Sequence, residues 1–212
     1  MTFSIVICDQ ESNKLGIAVA TCHFAVGALV PHLKSGVGAI ATQAATNPHL
    51  GLKGLEKMSS GNTLKDSLIA SLNEDLAKDS RQLHGVDVSG NSWAWTGKDT
   101  VKWSGHKFGK NFSLAGNMLA GEQVLDACYE VIKSRKKEPI EEILLQGLKA
   151  GEAAGGDVRG RQSAALLTIK DQPFPFCNLR VDDSKDPLSE LEHLLQEFRL
   201  PYYQEFIDAI PN

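Results

Sequence analysis

The chain has no excess of positive charge. Its 22 Lys and Arg stand against 26 Asp and Glu, for a net charge of −4, and nucleic-acid binding usually needs a concentrated basic surface. The one basic cluster, Lys133-Ser134-Arg135-Lys136-Lys137, falls where a helix ends and suits the negative end of a helix dipole. No apolar run approaches the roughly 20 residues that span a bilayer, and no charged segment precedes the first strand, so neither a membrane segment nor a signal peptide is expected. The four cysteines (Cys8, Cys22, Cys128, Cys177) are far apart and form no CxxC pair. Free thiols in a reducing cytoplasm are the simplest account. Six histidines are scattered without HxxxH or HExxH spacing, so no metal and no cofactor is expected.

At 212 residues and 42% hydrophobic content, the chain can bury one sizeable core. Apolar runs at 2–8, 15–21 and 37–42 read as strands covered on both faces, because their apolar residues are consecutive. Helical patterns follow at 50–59 and 63–75, the second with Thr63 as N-cap and Asp66 three residues on. Strands return at 82–88, 92–96 and 111–116, the first two joined by a Ser89-Gly90-Asn91 hairpin turn. Helices at 121–135 and 140–153 precede a glycine-rich turn and a strand at 163–169. The end reads as helices near 187–197 and 201–209. Strands, two helices, strands, two helices, strand is an α+β order that fits a four-layer αββα sandwich, with a single mixed sheet flanked by helices as the competitor. The division expected is a domain over 1–195 and a helical extension over 196–212.

Polar residues at strand ends carry the candidate chemistry. Thr42, Gln43 and Asn47 sit in Thr42-Gln43-Ala44-Ala45-Thr46-Asn47-Pro48, where a strand gives way to a loop. They read equally as substrate contacts or as turn chemistry. Asn117 lies in the apolar run Ser113 to Leu119. Its amide can serve a developing oxyanion or cap a helix beginning near Ala120. The stretch Gly155-Gly156-Asp157-Val158-Arg159-Gly160-Arg161-Gln162-Ser163 joins glycines, which admit close approach of a ligand, to arginines that fit a carboxylate or phosphate. Its spacing is not that of a P-loop, and an Asp157–Arg salt bridge is the plainer alternative. Cys22 and His23, neighbours on an extended strand, point to opposite faces and make a poor catalytic pair.

Thr2 is the sharpest of these features. It opens the first strand, and removal of Met1 leaves a hydroxyl and a free α-amine on one residue. That amine, with an ordinary pKa of about 7.7–8.0, can act as base for its own hydroxyl.

Several collinear segments resemble one family. They are the start Met-Thr-Phe-Ser-Ile-Val, Leu15 to Ala20, Ala25 to Ala28, Gly36 to Gln43, Gly116 to Leu119, Gly155 to Ser163 and Leu179 to Asp183. Over about residues 2–195 they resemble the domain-of-unknown-function 1028 family, grouped with the N-terminal-nucleophile (Ntn) hydrolases. The resemblance implies an αββα sandwich as in proteasome β subunits. It also implies hydrolysis of an amide C–N bond through an acyl-enzyme, with Thr2 as nucleophile. By the same resemblance Thr21 orients the nucleophile, Asn117 donates to the oxyanion, and Arg159 or Arg161 holds a substrate carboxylate. Gln43, Asp157, Gln162 and Ser163 complete the expected substrate contacts. Thr21 stands where the proteasome-like pattern has an acid, and no lysine is evident at the next strand, so the acid–base network differs. The expected partner is a small amide, with no nucleic acid and no membrane. A homo-oligomer, most simply a dimer, is expected if Leu191, Leu194, Leu195, Tyr202, Tyr203 and Phe206 cover a second subunit rather than their own core. Two other readings are a non-catalytic ligand-binding protein that depends on Arg159 and Arg161, and a cysteine hydrolase using Cys22.

Overall fold

A computed structural model describes residues 2–211. Met1, and with it the bond whose cleavage the sequence reading requires, lies outside the described residues. The first sheet has the order β10-β9-β2-β1-β8-β7, built from β1 (Thr2–Asp9), β2 (Lys14–Thr21), β7 (Gly105–Gly109), β8 (Phe112–Asn117), β9 (Ser163–Ile169) and β10 (Cys177–Val181). The second has the order β3-β4-β5-β6, from β3 (Pro31–Lys34), β4 (Gly38–Ala44), β5 (Arg81–Asp87) and β6 (Ser92–Thr96). Each named strand pairing is antiparallel.

The two sheets face each other, and each outer face carries helices, giving the four-layer αββα sandwich expected from the order of elements. Helices α1 (Pro48–Ser59) and α2 (Leu64–Asn73) cover the second sheet. Helices α3 (Gln123–Ser134), α4 (Ile140–Ala153) and α5 (Pro187–Phe198) cover the first. The period of two in β1 shows why its apolar run is unbroken. Phe3, Ile5 and Ile7 enter the core under α3 and α4, whereas Val6 and Cys8 enter the core between the sheets. Both faces are buried, so both need apolar residues. Helix α4 sits tight on β1 through two glycines one turn apart. A Cβ at Gly147 would come within 2.5 Å of Ile5, and one at Gly151 within 2.9 Å of Phe3.

Local chemistry sets the element ends. Thr63 Oγ1 accepts the Asp66 N–H at 3.1 Å, the N-cap expected, and donates to the Asp66 carboxylate at 2.7 Å. Asn47 caps α1, accepting the His49 N–H at 3.2 Å, with Pro48 in the first turn. Strands β3, β7 and β10 are absent from the sequence reading, and all three lie on sheet edges. Edge strands are short, partly solvated and tolerant of Lys, His and Arg, so they carry no apolar run. Helix α5 continues through the boundary placed at residue 195, and its Leu191 and Leu195 are buried in the chain's own core. Helix α6 (Pro201–Asp208) follows it with Tyr202 and Phe206 exposed. No described helix is long and apolar enough to cross a membrane.

Candidate active site

At one end of the inter-sheet layer, strand register lines up polar side chains in two facing rows. In the first sheet Ser163, Thr21, Thr2 and Asn117 are direct cross-strand neighbours on β9, β2, β1 and β8. In the second, Gln43, Gln82 and Thr96 are neighbours on β4, β5 and β6. All but Thr96 are buried. Buried polar groups are costly unless hydrogen-bonded, and here they bond one another. Thr2 Oγ1 lies 3.2 Å from Thr21 Oγ1. The Gln82 carbonyl oxygen accepts from Gln43 Nε2 at 3.0 Å and from Asn117 Nδ2 at 2.8 Å. Those same two amides lie 3.5 and 3.4 Å from the main-chain oxygen of Thr2. Gln82 Nε2 in turn reaches Gly116 O at 2.7 Å, Thr96 Oγ1 at 3.0 Å and Gly105 O at 3.1 Å. Two amides thus hold the Thr2 peptide, Gln43 from the opposite sheet and Asn117 from the neighbouring strand, and Gln82 ties the two together.

Two residues further along the strands a second polar layer lies beneath. Ser4 Oγ donates to Gln43 Oε1 at 2.5 Å and lies 2.7 Å from His84 Nε2, while His84 Nδ1 lies 3.0 Å from Ser113 Oγ. The Ser4 hydroxyl has one proton, given to Gln43, so Nε2 carries the imidazole proton and Nδ1 accepts from Ser113. Burial, reinforced by His106, pushes His84 down to about 3, so it is neutral at physiological pH. Both its nitrogens are occupied, and it is no base for Thr2.

Of the first polar row only Thr2 lines a cavity of about 220 Å³, bounded by residues of the segment His23–Val30 and by the turn Ala44–Thr46. Two non-glycine residues in its wall adopt left-handed backbone, Ala25 (φ 52°) and Ala44 (φ 70°). Such conformations persist only when their surroundings enforce them. The Ala25 N–H is held by Asp182 O at 2.9 Å. Ser163 Oγ donates to His23 O at 2.5 Å and accepts the Val26 N–H at 3.1 Å. Ser163 therefore fixes the cavity wall instead of lining it.

The remaining predicted residues divide. Gln43 and Asn117 join Thr2 and Thr21. Asn117 does not cap a helix, since α3 begins only at Gln123, and its amide goes to Thr2 and Gln82, not to an open oxyanion site. Thr42 faces the other side of its sheet and donates to Asn47 O at 3.1 Å, and Asn47 bonds Asp75 at 2.8 Å, so these two are turn chemistry. Although burial opposes it, hydrogen bonds from Arg81, Asn47 and the Ala77 N–H hold Asp75 down to about 2. The loop 155–163 clamps the end of β2. Asp157 accepts the Cys22 and Arg159 N–H groups, each at 2.8 Å, and pairs with the Arg159 guanidinium at 3.3 Å. Arg161 pairs with Glu152 and, at 3.5 Å, with Asp186. The Gln162 N–H bonds Thr21 O at 3.0 Å, and its side chain donates to Asp183 at 3.1 Å. A cavity of about 100 Å³ beside Thr21 is lined by Asp157 and Arg161, but neither arginine lines the cavity at Thr2. The salt bridge that was the plainer reading is present, and the carboxylate clamp is not assembled at the nucleophile.

Cys22 and His23 do not pair. The thiol lies 3.6 Å from Arg159 O, and His23 Nδ1 lies 3.0 Å from Phe24 O. All four cysteines are free, and burial pushes Cys8 up to about 11 and Cys128 up to about 12, which keeps both as thiols. Among the described residues no group of three or more His, Cys, Asp or Glu is placed to hold a metal ion. Ser4, Gln82, His84 and Thr96 escaped the sequence reading. The available signal was Gln82-Leu83-His84, two polar residues on one face of a strand that is otherwise buried.

Comparison with known proteins agrees with this architecture. The crystal structure of protein SPO2555 from Silicibacter pomeroyi, described as DUF1028, matches with TM-score 0.92 and 31% identity, covering 99% of this chain and 91% of that one. Anbu (ancestral beta-subunit) from Yersinia bercovieri matches with TM-score 0.43 and 10% identity, over 99% of this chain and 98% of that one. Anbu from Hyphomicrobium sp. strain MC1 gives the same score and identity over 100% and 99%. Likeness at that level carries no argument. Among curated proteins nothing matches. The model for the family of unknown function DUF1028 matches residues 2–191, and the chain belongs to that family.

Proposed function

We propose that this DUF1028 protein is an amidohydrolase of the N-terminal-nucleophile type, acting through Thr2 once Met1 is removed. The observation that carries the reading is the placement of Thr2. It is the one member of the buried polar row that opens into the cavity of about 220 Å³, whereas Thr21 borders the smaller one of about 100 Å³; its peptide is held by two amides while its hydroxyl lies 3.2 Å from that of Thr21.

Among the described residues no Asp, Glu, Lys or Arg lines that cavity; His84 is neutral and fully engaged, and His23, which does line it, has its Nδ1 3.0 Å from Phe24 O. The base in this scheme is the α-amine of Thr2 itself, which shares a residue with the hydroxyl and is uncharged above about pH 7.7–8.0. The amine takes the Oγ1 proton as Oγ1 attacks the amide carbon, and Thr21 orients the hydroxyl. The developing oxyanion forms within the same cavity, which Ala44 and Thr46 border. Collapse returns the proton to the leaving nitrogen, the C–N bond breaks, and an ester to Thr2 remains. Water then cleaves the ester, releasing a carboxylic acid and restoring the hydroxyl. Asn117, Gln43 and Gln82 are positioning residues in this scheme, because their hydrogen-bonding groups are directed at Thr2 and at each other.

The test is turnover of a panel of amides and lactams by the processed protein. Thr2→Ala is expected to lower kcat by roughly 10⁴-fold or more, with the thermal transition little changed. Undiminished turnover in that variant would contradict the mechanism.

A further inference from the structure

We infer that the cavity at Thr2 selects amides whose acyl group is uncharged and apolar, with Phe24 and Leu29 as the side chains that set this preference. The inference rests on the reading of Thr2 as nucleophile and adds the class of substrate.

The wall of the cavity is made of Val26 and Val30, both buried, with Phe24 and Leu29 at its mouth. Phe24 is 61% exposed and Leu29 is 49% exposed. One exposed apolar side chain means little, but two at the mouth of the cavity that holds the nucleophile form a patch with a place in the chemistry. Charge points the same way. A carboxylate entering this space would lose its hydration without meeting a Lys or Arg, since none lines the cavity among the described residues, and Arg159 is paired with Asp157 and Arg161 with Glu152 and Asp186. Size fits as well. An apolar cavity of about 150 Å³ accommodates benzene, so about 220 Å³ takes a phenyl or branched alkyl group and leaves room for the amide.

The wall is also set before any ligand arrives. Ala25 is fixed in its left-handed conformation by Asp182 O, Val26 by the Ser163 hydroxyl, and Val30 O accepts the Thr42 N–H at 3.1 Å. A preformed apolar seat spends little on ordering, and a short apolar acyl group is the occupant it suits. Thr46 and His23, the polar side chains besides Thr2 in the lining, remain to meet the polar end of the substrate.

The experiment measures binding of 2-phenylacetamide and of succinamic acid to the full-length Thr2→Ala protein by ligand-observed NMR and calorimetry near neutral pH. Binding in that background does not depend on nucleophilic chemistry. The neutral amide is expected to bind at least about tenfold more tightly, a difference of about 1.4 kcal/mol. Adding Phe24→Ala is expected to weaken 2-phenylacetamide about five- to twentyfold without changing succinamic acid, and adding Arg161→Ala to change neither. Equal affinities, a preference for the acid, no binding of either, or equal weakening of both by Phe24→Ala would overturn the inference. A second arm treats the processed wild type with 2-phenylethylboronic acid and looks for a tetrahedral boron adduct on Thr2. Apolar preference without an adduct keeps the seat and removes the Thr2 chemistry. An adduct without the preference does the reverse.

Discussion

The inter-sheet layer has two unlike ends. Towards the far end of β1 it is a dry apolar core of Val6, Cys8, Leu15, Ile17, Val19, Ala39 and Val86. At the Thr2 end the same strands carry Thr2, Thr21, Asn117 and Ser163, facing Gln43 and Gln82. The backbone is the same ladder in both, so the difference lies in what the side chains need. The apolar end needs only volume and exclusion of water. The polar end needs each donor matched to an acceptor, and that matching leaves Thr2 in a defined position beside a cavity. One end holds the sheets together, and the other prepares a site.

Substitutions at each end separate the two roles. Ile17→Ala should lower stability by about 2–5 kcal/mol, read from chemical denaturation, while the protein that remains folded keeps its turnover. If the folded fraction loses activity in proportion, the ends are not separable. Acid should act mainly through His84. Its folded pKa, about 3, lies below the ordinary value of 6.5, so only the unfolded chain takes a proton between these values. Stability is then full above pH 6.5 and falls as the pH drops towards about 3. His84→Gln should flatten that part of the profile, and an unchanged acid limb would show that other groups carry it. Gln82→Leu removes the acceptor shared by Gln43 and Asn117. It should cost about 1–3 kcal/mol for each amide left unpartnered. It should also lower kcat more than it changes KM, since it loosens the Thr2 peptide without touching the cavity. Arg159→Ala with Arg161→Ala should have the smallest effect, up to about 1 kcal/mol of stability per exposed pair and no loss of affinity for an uncharged substrate. A large rise in KM would restore the arginine clamp.

The layering was legible in the sequence because it follows from apolar runs and caps. The continuous run 2–8 demanded cover on both faces, and Thr63 with Asp66 marked a helix start that the structure repeats. The edge strands were not legible, because β3, β7 and β10 need no apolar pattern. Thr2 was named from its place after Met1, Thr21 from the resemblance, and Asn117 and Gln43 from their place at strand ends. Their partners Gln82 and His84 were hidden because the pairing of β4 with β5 is a long-range fact that no local window contains. The pairing of the arginines was hidden for a related reason. A loop with two guanidinium groups suggests an anion, but Glu152 and Asp186, distant or separate in the chain, come to Arg161 in the fold. Thr42 and Asn47 shared a strand end with Gln43, and the period of two placed Thr42 on the opposite face.

The central claim is that Thr2 is the N-terminal residue of the working protein. Intact-mass measurement of the protein isolated from its native host, with sequencing of the N-terminal peptide, tests it directly. The account predicts a chain beginning at Thr2 with a free α-amine. A chain that uniformly retains Met1 while hydrolysing an amide would contradict it.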